Sequence, residues 1–179
     1  MNPMRLLNLS CLAVFIQLSA TAQQGGLASP NLGLAYDSRW NTIRTIRGIP
    51  GAAILGDPVV AGFPLVAAAI SPGQDLALVV SAAGPQLRLI RFLGDNPAPL
   101  PIDGAMDSPD RIVFSPAGRA ALLFRNNPRQ LQVLTGLADF PAVRDLPVSS
   151  PMAAMAIGDD GEAVLLASGI ENADPVWLF

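Results

Sequence analysis

The sequence predicts an all-β chain assembled from small, repeated antiparallel sheets. Three observations predict it: an apolar run, a turn and a second apolar run recur at near-constant spacing; glycine (16) and proline (17) punctuate the chain throughout; and glutamate occurs only at Glu162 and Glu171, so long helices beyond the N-terminus are not expected. With 51% hydrophobic and 14% charged residues, the chain folds around a core and is not a disordered tail. Its 179 residues suit one domain of ordinary size.

The first element, residues 1–22, reads as an address. Arg5 supplies a positive n-region, Leu6 to Leu18 an apolar stretch, and Ala20-Thr21-Ala22 an A-x-A cleavage site, which is the order of a secretory signal helix. The polar Asn8, Ser10 and Gln17 make it too interrupted for a membrane span. The expected product is exported, to the periplasm or the cell exterior. Asn8 stands where a lipoprotein signal ahead of Cys11 wants an aliphatic residue. Once the segment is cleaved, no cysteine remains, and stability rests on packing in place of disulfides.

Residues 23–64 are expected to hold N-terminal strands of a partial unit. Leu34, Tyr36, Ile43 and Ile46, with Asp37-Ser38 between them, predict a strand pair, and Gly48-Ile49-Pro50-Gly51 a turn. The pair is read as the outer part of a sheet whose inner strands lie elsewhere. The apolar stretch from Ala52 to Ile70 is broken by Asp57, Pro58, Gly62 and Pro64, so it is read as buried strands and turns and not as a span.

Residues 65–179 carry the repeat, in units of about 65–107, 108–150 and an incomplete 151–179. Hairpins are expected at 67–80, 111–124 and 154–167, whose starts lie 44 and 43 residues apart. Their turns combine serine, proline, aspartate and glycine, with proline setting a negative φ at the front and glycine a positive φ at the end. The second runs, such as Ala120 to Phe124, are apolar on both parities, which predicts strands covered on both faces. A third strand follows at 86–92, at 130–136 and at 175–179. In the second of these Leu131 and Val133 alternate with Gln130 and Gln132, so the glutamines are expected on a face nearer water. Units of about 43 residues, made of short strands with little helix, fit the blades of a β-propeller. Residues 23–179 make fewer than four such units, so the ring is expected to be incomplete. The apolar finish Trp177-Leu178-Phe179 reads as a truncated frame or a fragment, or else as a ring that a partner chain or second copy completes. An open blade edge then favours self-association.

The run Phe114-Ser115-Pro116-Ala117-Gly118-Arg119-Ala120-Ala121-Leu122-Leu123-Phe124, followed by Leu131-Gln132-Val133-Leu134, resembles the S-P-D-G-[KR]-x-L unit of bacterial propellers. Such units occur in Tol-Pal-like, YVTN-like and lactonase-like propellers. Ala117 departs from that pattern, and the turn at Ser71-Pro72-Gly73 reads as one residue short. In such propellers one rim gathers the loops from second to third strand and the connections into each first strand. The resemblance therefore implies ligand-binding positions at Asp103, Asp107, Asp110, Arg111, Arg125, Asn126, Asn127 and Arg129, where an arginine fork beside asparagines could hold a carboxylate or a glycan hydroxyl. Solvated turn residues that merely end strands are the plainer account of the same positions.

Absences narrow the chemistry. All 11 basic residues are arginine and histidine is missing, which removes the Schiff-base lysine, the phosphate-loop lysine, the imidazole base and the histidine metal ligand. The net charge of −3, with no basic run, argues against nucleic acid. Asp159-Asp160-Gly161 matches no calcium loop, and the glycines from Gly48 to Gly56 lack phosphate-loop spacing. Trp40 and Trp177 fit sugar-stacking platforms and blade packing equally well. The functional expectation is an exported binding or structural module without catalysis of its own, with no metal and no cofactor, and with a protein or glycan partner at the rim. The alternatives are a fragment of a lactonase-like or glycosidase-like propeller enzyme, and a remnant without independent function.

Overall fold

The computed structural model describes residues 30–59, 64–92, 97–168 and 176–178. The expected signal segment, Cys11 included, lies outside the described residues. Within them every regular element is a strand, and the strands form four antiparallel sheets in chain order. The first holds β1 (Asn31–Asp37), β2 (Thr42–Arg47) and β3 (Ile54–Pro58). The second holds β4 (Leu65–Ile70), β5 (Leu76–Ser81), β6 (Gly84–Arg91) and β7 (Pro99–Pro101). The third holds β8 (Arg111–Phe114), β9 (Ala121–Asn126), β10 (Arg129–Thr135) and β11 (Ala142–Leu146). The last holds β12 (Met152–Ile157), β13 (Val164–Ser168) and β14 (Val176–Leu178). Strands follow one another across each sheet in sequence order, because the short turns allow only neighbour-to-neighbour pairing.

The three hairpin turns share one build. Ser71 N donates to Leu76 O and Gln74 N to Ser71 O; Ser115 N donates to Ala120 O and Gly118 N to Ser115 O; Gly158 N donates to Ala163 O and Gly161 N to Gly158 O. The turn at Ser71 is therefore of full length, contrary to the sequence reading. Gln74, at φ 61°, stands where the other turns place Gly118 (72°) and Gly161 (74°). These turns sit side by side: Gly118 lies so close to Ser71 that an added Cβ would be 3.1 Å from the Ser71 Cβ, and Ala117 N donates to Asp159 Oδ1 at 2.8 Å. Hence β4, β8 and β12 run in the same direction as the inner strands of successive sheets. This is the arrangement of propeller blades.

β1 runs the other way. Its start meets the end of the β4–β5 hairpin, where Leu34 N donates to Gln74 Oε1 at 2.6 Å. Its end meets the start of β4, where the Tyr36 hydroxyl donates to Leu65 O at 3.3 Å. The register says the same. Ala35–Arg44–Pro58, Val79–Arg88–Pro101 and Leu123–Gln132–Asp145 are matching rows across the second, third and fourth strands of a blade. The first two columns of these rows step by 44 residues. The first sheet is thus a blade without its inner strand among the described residues.

Alternation along the middle strands builds the core. Leu76, Leu78 and Val80 of β5 pack toward the third sheet, while Ala77 and Val79 pack toward the first. Ala121 and Leu123 of β9 face the second sheet, while Leu122 and Phe124 face the last. Both strands are covered on both faces, as their unbroken apolar runs predict. The rule fails at β13, where Val164 and Leu166 are buried but Leu165 is 46% exposed, because among the described residues no sheet lies beyond it. The stretch from Ala52 to Ile70 is less buried than expected: Ile54 is 69% exposed and Val66 62%, since β3 is an outer edge and β4 an inner one. Gln132 is a further correction, being only 2% exposed. It lies under the loop that leads into β8, accepting from Met106 N at 2.6 Å and donating to Gly104 O at 3.1 Å.

Candidate functional site: the rim of the strand-connecting turns

Since β1, β5 and β9 run alike, the turns β1–β2, β5–β6 and β9–β10 share one rim, opposite the serine-proline turns, and the connections into β8 and β12 end on it. Six of the eight sequence-predicted residues, Asp107, Asp110, Arg111, Arg125, Asn126 and Arg129, take part in hydrogen bonds there. Arg125 donates from Nη1 to Asp107 O at 3.1 Å and from Nη2 to Gln130 Oε1 at 2.7 Å, and its Nε is buried without a partner. Asp110 accepts from Asn126 N through Oδ2 at 2.7 Å, which fixes the β9–β10 turn. Arg129 donates to Ser149 O. Arg111 reaches across to the last sheet, with Nη1 3.1 Å from both Met152 O and Ala153 O. Asp103 and Asn127 are exposed, Asn127 preceding a cis proline bond. The three guanidinium groups are thus directed at backbone carbonyls, tying turn to loop and sheet to sheet, and are only in part available to a ligand.

Trp40 is differently placed. It sits at the tip of the β1–β2 turn and is 73% exposed. It lines an open hollow of about 420 Å³ with Asp37, Ser38, Arg39, Arg44 and Leu55. The turn is held by Trp40 N donating to Asp37 O at 3.3 Å and Arg39 N donating to Asp37 Oδ1 at 3.0 Å. Asp37 Oδ2 also pairs with Arg44 Nη1 at 3.3 Å. The hollow therefore combines an exposed indole, an oriented carboxylate and two guanidinium groups. The sequence shows that Trp40 follows a strand and a turn signal; its exposure goes with its place at the tip of that turn. Trp177 lies in β14, whose side chains are outside the described residues. Among the described residues no three of His, Cys, Asp or Glu gather as a metal-binding group.

No family model and no curated protein matches the chain. Solved structures do. A functionally unknown protein from Desulfotomaculum acetoxidans DSM 771 is similar at 18% identity and a TM-score of 0.55, over 84% of this chain and 50% of that one. A 6-phosphogluconolactonase-like protein from Bacteroides uniformis ATCC 8492 is similar at 13% identity and a TM-score of 0.49, over 75% of this chain and 43% of that one. A Lactobacillus plantarum protein is similar at 16% identity and a TM-score of 0.46. The likeness is one of fold: the chain's own antiparallel sheets are β-propeller blades, and the chain spans about half the length of the Desulfotomaculum protein.

Proposed function

We propose that the chain is the blade-bearing part of an exported, non-catalytic binding protein that holds a polyhydroxylated ligand, a glycan, at the Trp40 rim. The observation that carries this reading is the 73% exposure of Trp40 in a hollow it shares with Asp37 and two arginines. An exposed indole costs solvation free energy that a flat apolar ligand face removes. Asp37 and the arginines offer an acceptor and donors at the edges of that face, where sugar hydroxyls project. Concave sites with an aromatic wall and a few oriented polar groups are the usual form of small-ligand sites.

The test is a fluorescence titration of a Trp177→Phe chain with neutral oligosaccharides of glucose, N-acetylglucosamine and mannose. Trp40 emission is expected to shift saturably with at least one of them. Calorimetry on Trp40→Ala is expected to show that binding is lost. Absence of any saturable response across the series, or undiminished binding by Trp40→Ala, overturns the reading.

A further inference from the structure

The hollow at the β1–β2 turn holds three charges, Asp37, Arg39 and Arg44, and two of them are already spent on each other. Asp37 Oδ2 pairs with Arg44 Nη1 at 3.3 Å, both side chains being largely buried, and Arg44 Nε donates to Gly56 O at 2.7 Å. Asp37 Oδ1 also accepts from Arg39 N at 3.0 Å, so the charge of this carboxylate is compensated within the protein. Arg39 differs. It is exposed beside Trp40, and among the described residues no hydrogen bond or ion pair engages its guanidinium. On the same rim Arg111, Arg125 and Arg129 are turned onto carbonyls. The hollow therefore presents one uncompensated positive charge next to an indole, in a chain whose net charge is −3.

On the glycan reading of the Trp40 hollow, on which this rests, we infer that the ligand is an acidic glycan whose sugar carries a carboxylate, and that Arg39 is the residue that reads it. The planar guanidinium meets a carboxylate through two parallel N–H···O bonds, a fit that a lone hydroxyl does not offer. Arg39 gives up no internal partner in making them. A uronate suits the pair because its carboxylate projects from the edge of the sugar ring, leaving a ring face free to lie on the indole. A neutral sugar leaves the guanidinium unanswered, and an amino sugar with a free ammonium is repelled by it. Because the chain as a whole is acidic, the preference is local: it belongs to one carboxylate at one arginine, and a densely charged polyanion gains nothing from the wider field.

Calorimetry at low ionic strength should give oligoglucuronate and oligomannuronate about fivefold tighter binding than glucose and mannose oligosaccharides of equal length, and the ratio should shrink in high salt. Arg39→Gln should bring that ratio to about one, and Arg39→Lys, which keeps the charge without the planar fork, should recover part of it. Both substitutions fall on an exposed turn residue, so the all-β circular dichroism spectrum should be unchanged. Neutral sugars bound as tightly as the acidic ones, or a ratio that survives Arg39→Gln, overturns the inference and leaves the glycan reading standing. Binding of neither kind overturns both.

Discussion

Asp159 lies in the last serine-proline-type turn and reaches back to the one before it. Its carboxyl is held below the ordinary value of 3.8, first by a hydrogen bond from the Ser115 side chain and then by the Ala117 amide. A carboxylate favoured by the folded state stabilises it above the unfolded value, and that contribution disappears as pH falls through the lowered folded value. Wild-type melting temperature should therefore drop on acidification below about pH 4 more steeply than that of Asp159→Asn, and the two curves should converge at the acid end. Parallel curves across that window would show that the bond contributes nothing. Gln132 marks the limit of what single residues disclose. Its alternation with Leu131 and Val133 reads as a wet face, yet a loop from Ile102 to Met106 folds over it and uses its amide at both ends. No local pattern in β10 encodes a cover that comes from residues some thirty positions earlier.

Hairpins were the most legible elements, because turn chemistry is local. Serine accepts at the front, a residue with positive φ closes the turn, and the flanking runs carry their burial in their composition. Gly118 makes this testable: with φ at 72° and the Ser71 Cβ 3.1 Å from an added Cβ, Gly118→Ala should cost about 1–2 kcal/mol, read as a lower urea midpoint at constant slope. An unchanged midpoint would mean that the turn relaxes freely. The fourth strands, β7 and β11, were not legible. Pro99–Pro101 and Ala142–Leu146 are short and lie at sheet edges with mostly exposed side chains, Leu146 being the buried exception, so they carry too little periodicity to be read, and pairing makes them strands. The place of β1 was legible in part: the strand pair reads as the outer part of a sheet, but its direction is set by contacts with β4 and the turn after it, which no local pattern encodes. The rim site divides in the same way. Arginines and aspartates at strand ends are visible in the sequence, but that Arg111, Arg125 and Arg129 are turned onto carbonyls depends on loops from other units. The exposure of Trp40 belongs to the three-dimensional placing of its turn and not to any pattern in the residues around it.

The molecule as a whole is a row of sheets in which each packs on the next, so stability is expected to fall from the middle outward. β5 and β9 have neighbours on both faces and are fully buried over Leu76–Ser81 and Ala121–Phe124. Among the described residues β3, β7 and β11 each have one hydrogen-bonded neighbour, and their side chains are largely exposed. Hydrogen exchange should therefore be slowest at the amides of β5 and β9 and fastest at those outer strands. A substitution in the middle should register as global unfolding. Leu122 is 0% exposed between the third and last sheets, so Leu122→Ala should cost about 2–5 kcal/mol, whereas Ile54→Ala, on a strand where Ile54 is 69% exposed, should stay within about 0.5 kcal/mol. If Leu122→Ala accelerates exchange only in the last sheet and leaves β5 untouched, the sheets unfold separately; if β5 and β9 accelerate together, the row behaves as one cooperative unit. Uniform protection across inner and outer strands would contradict a stack held by its middle, because it would require the outer edges to be covered as well as the two end faces.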